Sequence, residues 1–387
     1  MRYTDNRVGC CGKEDTLRTN RSSAKIGISG SYGGFNLGDE AILHCIIKLI
    51  RSSVRAHITV FSKDPADTIK RHQIERAIPV KRLSRDQSAK EIEKLDIFIL
   101  GGGGILYDGD VKSYLREPLL ALEKKVPFMV YAISAGPLLD SHTQNYVKEI
   151  LERADIITVR DNQSKHILEE IGIRKEIYIT ADPALLLQEQ PINETTLIQE
   201  GIRPGQRLVG ISVREPGLAA PDIKEDNYHM ILANTADYII DRFNALAVFV
   251  PMERRVLDLQ HCHAVISLML RPQQATVLQG DYTAGELLNI ISQFNLSVGM
   301  RLHFLIFSAI KQVPLVGLPY SPKVNGFLEE LRLEMPPIHL VNAGRLIAHI
   351  DRAWDNKLSV LQRINRYLPE LKNRALINNE LLLSLLR

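Results

Sequence analysis

At 387 residues the chain is too long for one ordinary hydrophobic core, so two domains are expected. The hydrophobic content of 45% and the charged content of 24% are those of a soluble globular protein. The net charge of +3 is too small for a protein that holds nucleic acid through a broad basic face, although it allows a local anion site.

The amino-terminal segment lacks the features of a targeting sequence. Residues 1–24 are polar and basic without an apolar core, so we predict a disordered polar tail rather than a signal peptide. No stretch approaches the length of a membrane span. Cys10, Cys11, Cys45 and Cys262 have no C-x-x-C or disulfide-like spacing, which favours a reducing compartment. We therefore expect a cytoplasmic protein.

The run His261-Cys262-His263 suggests a metal site at first inspection. Adjacent side chains project in different directions, however, and no second pair of ligands lies nearby. We predict no metal site.

The first predicted unit is a strand, a glycine-rich turn and a helix, which is the opening of an α/β fold. Lys25 to Gly30 have the pattern of a buried strand, and Ala41 to Ile50 have helical apolar spacing. A helix that starts near Asp39 would direct N–H groups toward the turn and favour a bound anion. Asp39 could equally serve only as the helix cap. The glycine spacing is neither G-x-G-x-x-G nor the phosphate-loop pattern, so neither NAD nor ATP is implied.

Small or charged residues follow most of the next predicted strands. These strands are Ile58–Phe61, Asp96–Leu100, Phe128–Ala132, Ile156–Val159 and Ile177–Ile179. Gly101 to Gly104 follow the second of them and would let the backbone approach another group closely. Arg160 follows the fourth, and Asp182 lies just after the fifth. Because ligands lie at the carboxyl ends of strands in open parallel sheets, these residues predict one wall of a binding site.

A polar stretch with prolines divides the chain. We predict a linker at residues 191–206 between a first Rossmann-like domain at 25–190 and a second at 207–342, followed by carboxy-terminal helices at 343–387.

The second half repeats the alternation of strands and helices. Its predicted strands are Val209–Val213, Ala245–Val250, Leu296–Val298 and Pro314–Leu318, and its predicted helices are Tyr228–Phe243 and Glu286–Ile291. Arg214 follows the first strand, Arg301 and His303 follow the third, and Lys323 follows the fourth. The tail from Leu346 to Arg387 is predicted to be helical with an interruption at Pro369.

Arg301 and His303 place a permanent cation beside a titratable imidazole. Arginine can bind a carboxylate or phosphate through two parallel hydrogen bonds, and histidine titrates near neutrality. An enzyme that binds a small dianion and moves a proton needs this pair.

Six short motifs together resemble the polysaccharide pyruvyl transferases, most closely their cell-surface-anchoring branch. They occur in the family's order between about Lys25 and Leu331, and are Asn36-Leu37-Gly38-Asp39-Glu40, Gly101-Gly102-Gly103-Gly104, Val159-Arg160-Asp161, Ala181-Asp182-Pro183, Gly299-Met300-Arg301-Leu302-His303 and Tyr320-Ser321-Pro322-Lys323. One departure is Asn295, where the family usually has Asp before the strand that leads to the Arg-Leu-His motif.

The resemblance implies an α/β protein with two Rossmann-like domains that face each other across a cleft, as in GT-B glycosyltransferases. It implies phosphoenolpyruvate as co-substrate, no cofactor, and a sugar diol of a cell-surface polysaccharide, or of its lipid-linked precursor, as acceptor. The product would be a pyruvate ketal.

Each motif residue then has an expected role. The expected donor-binding residues are Arg160, Arg214, Arg301, His303 and Lys323, and the expected acceptor-side residues are Asn36, Asp39, Gly102, Gly103 and Asp182. His303 would supply or relay the proton, and Asp39 would orient or deprotonate the acceptor hydroxyl. Each role has a structural alternative: a surface ion pair for Arg160, a solvated loop position for Lys323, and an interior position for His303.

Two other functions fit the same architecture. One is a nucleotide-sugar glycosyltransferase, with Glu286 on a ribose. The other is a non-catalytic sugar-binding homologue, which would be expected to have lost Arg301, His303 or Lys323, whereas all three are present. A lipid-linked acceptor would bring the protein to the inner face of the plasma membrane, and the leucine-rich Leu381 to Leu386 could then contact lipid or instead pack on the first domain.

Overall fold

The computed structural model describes residues 23–80, 82–214, 225–253, 258–318, 322–334 and 342–386. The predicted tail at residues 1–24 lies almost entirely outside the described residues, as do Tyr320 and Ser321 of the last motif. The described chain forms two parallel β-sheets flanked by helices and ends in a long helix.

The first half contains eight strands among its described residues. They are β1 (Ala24–Ser29), β2 (Ala56–Ser62), β3 (Arg76–Pro79), β4 (Ile97–Leu100), β5 (Gly103–Leu106), β6 (Phe128–Ala135), β7 (Ile156–Val159) and β8 (Ile177–Ile179). Its helices are α1 (Leu37–Ser53), α2 (Pro65–His72), α3 (Arg85–Ile92), α4 (Val111–Tyr114), α5 (Arg116–Glu123), α6 (Ser141–Leu151) and α7 (Asn162–Glu170). A 3₁₀ turn at Pro183–Leu186 and α8 (Glu194–Gln199) lead into the second half.

The second half has five strands among its described residues. They are β9 (Leu208–Ser212), β10 (Leu246–Phe249), β11 (Ala275–Val277), β12 (Leu296–Gly299) and β13 (Leu315–Gly317). Its helices are α9 (Glu225–Phe243), α10 (Asp258–Ser267), α11 (Ala284–Ile291), α12 (Leu302–Ile310) and α13 (Pro322–Glu330), followed by α14 (Ala343–Asp355) and α15 (Lys357–Leu385).

The two sheets share one topology. Their orders are β3-β2-β1-β4-β6-β7-β8, with β5 also on β6, and β11-β10-β9-β12-β13. All described strand pairings are parallel. In both sheets the strand order reverses beside the first strand, between β1 and β4 and between β9 and β12. Such switch points leave a crevice at the carboxyl ends of the strands, where ligands bind in open α/β sheets.

Apolar packing joins the two halves. One continuous buried cluster runs from Ile26 in β1 through Phe304 in α12 to Leu382 in α15, and a second cluster covers the other face of the first sheet. Beside the crevice, the Leu37 N–H donates to the Met252 carbonyl at 2.8 Å, and Asn36 forms an antiparallel bridge with Glu253. The switch points of the two sheets are thereby held against each other.

Several sequence predictions need correction. The helix after the glycine-rich turn begins at Leu37, and its cap is Asn36, whose side chain accepts from the Gly38 and Asp39 N–H groups; Asp39 is therefore not the cap. Gly103 and Gly104 begin a further strand, β5, which was not predicted and which pairs with β6 beyond the end of β4. Strands β3 and β11 were not predicted.

The carboxy-terminal tail breaks at Asn356, and α15 continues through Pro369. A proline inside a helix removes one hydrogen bond. Ile364, Leu368 and Leu371 on the same helix are buried in the core, so packing overrides the local preference. The last turns pack on the first half, where Leu382 is fully buried and Asn379 donates to the Ser53 hydroxyl at 3.0 Å.

Asn295 has a structural role at the amino end of β12. Its side-chain oxygen accepts from the Leu208 N–H at 2.9 Å, which fixes β12 against β9. Asp96 does the same for Lys25 at 2.7 Å at the amino end of β4. Because an amide oxygen accepts this bond as a carboxylate does, Asn at 295 keeps the contact, far from the carboxyl ends of the strands.

Candidate functional site

The crevice between the two switch points contains a cavity of about 160 Å³. It is lined by Asn36, Asp39, Gly104, Arg160, Arg214, Met252, Arg301, Leu302, His303 and Lys323. The fold thus brings together seven predicted site residues that span almost 290 positions of sequence. Five of them are arginine, lysine or histidine, so the cavity is suited to a small anion.

Helix α12 adds a further positive contribution. Arg301 is its N-cap residue and makes no side-chain capping bond, since a guanidinium has no acceptor. The first N–H groups of α12 and the helix dipole therefore favour an anion at Leu302 and His303. At α1, by contrast, the Asn36 side chain already accepts from two of the first N–H groups.

His303 is held by a chain of polar contacts. Its Nε2 lies 3.3 Å from Asp182 Oδ2. The same oxygen accepts from Arg160 Nη1 at 2.6 Å, and Arg160 Nε donates to the Ser134 hydroxyl at 2.7 Å. Burial alone would raise the pKa of Asp182, but the charges of His303 and Arg160 hold that pKa well below its ordinary value. Asp182 therefore stays ionised and orients the imidazole.

Asp182 and Gly102, which were expected on the acceptor side of the cavity, both lie behind its wall. Asp182 is only 5% exposed and lies beneath His303 rather than on the cavity wall. Gly102 also lies behind the wall, where an added Cβ would touch the Ile42 side chain and the Ala132 carbonyl. Arg160 is 8% exposed and is neither a surface ion pair nor fully open to a ligand.

Two glycines permit close approach of the catalytic candidates. An added Cβ at Gly38 would overlap the imidazole of His303, and one at Gly104 would overlap Nζ of Lys323. Gly38 is in the first turn of α1 and Gly104 is in β5, both from the first half of the chain. The absence of a side chain at these positions lets His303 and Lys323 of the second half reach the first.

Lys323 is half-buried at the start of α13. Burial, and then the charge of Arg160, lower the pKa of Lys323 to about 8. Asp39 and Asp161 oppose this shift. The ammonium group can thus lose its proton near neutral pH, which a solvated loop lysine does not do.

Asp39 faces the cavity from the first turn of α1. Burial raises the pKa of Asp39, while the charge of His303 opposes the shift. An added Cβ at Gly103, whose φ is +108°, would lie 3.2 Å from Asp39 Oδ1. A carboxylate with a raised pKa at this place could accept a proton from a hydroxyl group.

Arg301 is fixed by two acidic residues that the sequence analysis did not identify. Its Nε donates to Asp258 Oδ2 at 2.9 Å and its Nη2 to Glu253 Oε2 at 3.0 Å, and Nη2 also contacts Asp258 Oδ1. Asp258 is fully buried and accepts from the N–H groups of Met252 and Glu253 as well. Glu253 follows strand β10, so the strand-end rule used for the other residues would have indicated it.

A second buried pair supports the glycine-rich turn. Glu40 Oε1 accepts from the Gly33 N–H at 2.8 Å, and Glu40 Oε2 lies 2.7 Å from His72 Nε2. Both side chains are less than 5% exposed. Glu40 therefore holds the turn from inside, a role that the motif alone did not indicate.

Other expectations concern residues outside the cavity. Glu286 forms a capping box with Thr283 at the start of α11, where its carboxylate accepts from the Thr283 N–H at 2.8 Å. His261 Nδ1 lies 2.8 Å from His229 Nε2. The described residues contain no cluster that could hold a metal ion and no helix with the length and apolarity needed to cross a membrane.

Comparison with known proteins gives a family and a fold. The family model for polysaccharide pyruvyl transferase matches residues 36–322. A curated relative, the amylovoran biosynthesis protein AmsJ of Erwinia amylovora, is 22% identical over 308 residues, which cover 73% of this chain and 71% of the relative.

The solved structures that resemble the chain share its fold at low sequence identity. A UDP-GlcNAc 2-epimerase from Neisseria meningitidis, solved with UDP-GlcNAc, has a TM-score of 0.64 at 9% identity and is covered over 100% of its length by 93% of this chain. A putative UDP-N-acetylglucosamine 2-epimerase from Listeria monocytogenes also has a TM-score of 0.64, at 12% identity, with coverage of 92% and 94%. A glycosyltransferase from Rickettsia africae has a TM-score of 0.61 at 10% identity, with coverage of 95% and 100%. These likenesses confirm the predicted α/β fold of the GT-B type with a helical carboxy-terminal tail.

Proposed function

Because the chain belongs to the polysaccharide pyruvyl transferase family, we propose that it transfers pyruvate from phosphoenolpyruvate to two hydroxyl groups of one sugar, forming a ketal and releasing phosphate. The family and the AmsJ relative make the chain an enzyme that transfers pyruvate onto polysaccharide. The donor and the ketal are our proposal: the family resemblance implies them, and the cavity supports the donor. We further propose that the acceptor is a cell-surface polysaccharide or its lipid-linked precursor, reached at the inner face of the membrane.

The observation that supports this donor is the small cationic cavity. Phosphoenolpyruvate carries a carboxylate and a phosphate, and Arg214, Arg301 and Lys323 line about 160 Å³ beside the start of α12. Glu286, the residue expected to hold the ribose of a nucleotide sugar, lies outside this cavity and is occupied in a capping box. The glycosyltransferase alternative is therefore less well supported.

The proposed reaction moves two protons overall, from the two sugar hydroxyls to the new methyl group and the phosphate. A proton is added to the methylene carbon of phosphoenolpyruvate, which leaves an oxocarbenium-like centre at the neighbouring carbon. A sugar hydroxyl attacks that carbon and loses its proton, and the bond from the carbon to the phosphate oxygen breaks. The second hydroxyl then closes the ring, and its proton leaves with the phosphate. The two hydroxyl protons thus balance the one on the new methyl group and the one on phosphate.

We assign the first proton to His303. It lines the cavity at the positive end of α12, and Asp182 orients its ring from below. Asp39 also lines the cavity and would accept the hydroxyl proton. Lys323 and Arg301 would balance the charge of the leaving phosphate.

The direct test is phosphate release from phosphoenolpyruvate across candidate sugar acceptors, compared with UDP release from UDP-sugars. His303→Ala should still bind phosphoenolpyruvate but lose about 10²–10⁴ in kcat, the usual contribution of a positioned acid. His166→Ala, at a histidine with 71% of its side chain exposed, is the control and should keep normal activity. Near-normal turnover by His303→Ala would rule out the acid role. Release of UDP from UDP-sugars would identify a nucleotide sugar, instead of phosphoenolpyruvate, as the donor.

A further inference from the structure

A second, larger cavity opens beside the reaction cavity. It measures about 610 Å³ and lies between the start of α7, the face of α13 and the middle of α15. We call it the α13–α15 groove and define it by Asn162, Gln163, Asn325, Gly326, Tyr367 and Glu370. Lys323 lines both this groove and the 160 Å³ cavity, so the two spaces meet at its side chain.

The walls of the groove carry the groups that bind sugar hydroxyls. Asn162, Gln163 and Asn325 offer amide donors and acceptors, and Glu370 offers carboxylate oxygens. Asn325 Oδ1 is buried and has no hydrogen-bond partner among the described residues, and buried polar atoms usually have one. Tyr367 adds a half-buried aromatic ring with a polar tip.

The charge of the groove restricts which glycan it accepts. Glu330 is bound to Arg374 at 3.0 Å, and Asp161 accepts from the Ser164 N–H and the Ser134 hydroxyl. Glu329, Glu370 and Arg332 are exposed on its wall, and Lys323 lies where the groove meets the smaller cavity. The four carboxylates of the lining outnumber its two cations, so the groove is acidic on balance, disfavours an acidic sugar and accepts hydrogen bonds from a neutral one.

We infer that the α13–α15 groove binds the neutral sugar units of the acceptor glycan that adjoin the pyruvylated sugar. This inference rests on the proposed function. Its volume falls within the about 300–1,000 Å³ of sites for ligands larger than a single small acid. The shared Lys323 places the bound sugar chain next to the donor. The acceptor therefore lies between the halves of the protein and against the carboxy-terminal helix, and the first half alone does not bind it.

Gly326 provides a way to block the groove. It lies on α13, and an added Cβ meets no atom within 4 Å. The first carbon of a side chain therefore fits at this position without displacing protein atoms, and we expect a larger side chain on this wall to occupy the groove. Gly344 is an exposed glycine of α14 outside the groove and serves as the matched control.

The experiment compares methyl β-galactoside with lactose, and methyl β-glucoside with cellobiose, as acceptors in phosphate release from phosphoenolpyruvate. Each disaccharide carries the same terminal diol as its monosaccharide partner and adds one neutral sugar. Wild type should use the disaccharide of a pair with at least tenfold higher kcat/KM. Gly326→Ala, Leu and Phe should lower that preference progressively, and Phe should abolish it. Gly344→Phe should retain it.

Calorimetric titration with phosphoenolpyruvate distinguishes an error in the assigned donor from an error in the glycan assigned to the groove. Donor affinity should be unchanged in Gly326→Phe. If wild type binds no phosphoenolpyruvate, the proposed function fails and this inference fails with it. If wild type binds phosphoenolpyruvate but uses neither disaccharide, or if Gly326→Phe keeps the disaccharide preference, the inference is wrong while the donor assignment stands.

A digalacturonate competitor tests the charge argument. It should inhibit the disaccharide reaction with a constant at least tenfold above the disaccharide KM, because Glu329 and Glu370 face it. Tighter binding by digalacturonate than by the neutral disaccharide would overturn the neutral class.

Discussion

Single residues in the cavity differ in what sets their charge. Arg160 and Arg301 are permanent cations that contact carboxylates of the protein, and Lys323 is a titratable cation whose pKa is lowered by burial and neighbouring cations. Arg160 therefore acts mainly through Asp182 and His303. Lys323 is the cation whose charge state a bound dianion would change most.

The lowered pKa of Lys323 predicts a pH dependence of donor binding. Below pH 8 the group is protonated and attracts the donor, and above about pH 8 it loses this charge in the unliganded enzyme. Donor affinity should fall by up to tenfold per pH unit above 8. The donor itself does not titrate there, since the second pKa of a phosphate monoester is about 6. Titrations of wild type from pH 6.5 to 9.5 (roughly the range set by these pKa values) measure the effect.

Lys323→Arg is the matched variant for this prediction. Arginine keeps its charge throughout that range, so its donor affinity should not change with pH. An equal fall in affinity in Lys323→Arg would assign the titration to another group.

The ion pair of Arg301 predicts a large stability effect at Asp258. Asp258→Ala removes the buried carboxylate that pairs with the Arg301 guanidinium, and breaking such a buried pair costs about 3–5 kcal/mol. Denaturant unfolding measures this loss. Glu123→Ala, in a surface pair with Arg85, should cost no more than about 1 kcal/mol. If Asp258→Ala kept full stability, the buried pair with Arg301 would not contribute to the fold.

At the scale of elements, the site depends on helix ends and glycines. The start of α12 provides the positive end of a helix and positions His303, while Asn36 caps α1 opposite. Gly38 and Gly104 let these elements approach across the two halves. Glycine is needed at these positions because a side chain would overlap His303 or Lys323. Backbone conformation does not require it, since neither residue has a positive φ.

Gly38→Ala tests this close approach. The new methyl group would overlap the His303 ring and move it. A displacement of about 1 Å in a catalytic group can cost roughly 10²-fold in rate, so kcat should fall by about that factor. Measurements of kcat and Tm on Gly38→Ala, with Gly344→Ala as the control on an exposed glycine, distinguish displacement from unfolding. Normal kcat would show that the imidazole works from a shifted position.

At the scale of the whole molecule, two switch points and the last helix form one site. The first half contributes α1 and β5, the second contributes α12 and α13, and α15 returns to the first half. Asn378 in α15 is fully buried and accepts from Thr158 and Thr180 hydroxyls at 2.6 and 2.9 Å. Its amide donates to the Ala181 carbonyl at 3.3 Å, next to Asp182.

Asn378→Leu should therefore destabilise the protein. The threonine hydroxyls can donate instead to the carbonyls of Val130 and Val159, but the Ala181 carbonyl loses its Asn378 donor. A loss of about 1–3 kcal/mol is expected in denaturant unfolding. Asn365→Leu, at an exposed position of the same helix, should change stability by no more than about 0.5 kcal/mol. Equal effects at both positions would mean that α15 is not held by this contact.

The sequence by itself determined the α/β class, the main strands and most of the cavity. Buried strands are continuous apolar runs, and the residues after them are the ones that parallel topology gathers at one edge, so local pattern was sufficient for Arg160, Arg214, Arg301 and His303. Short edge strands such as β3 and β11, and the passage of α15 through Pro369, depend on partners that are distant in sequence.

Tertiary structure alone decided which charges are paired and which groups touch. Asp182 lies under His303 because the 3₁₀ turn Pro183–Leu186, which Asp182 caps, packs against α12, and Asp258 reaches Arg301 from a helix 43 positions away. The lowered pKa of Lys323 likewise arises from packing between the two halves. Burial and charge pairing are properties of three-dimensional neighbours, and no local pattern in the chain records them.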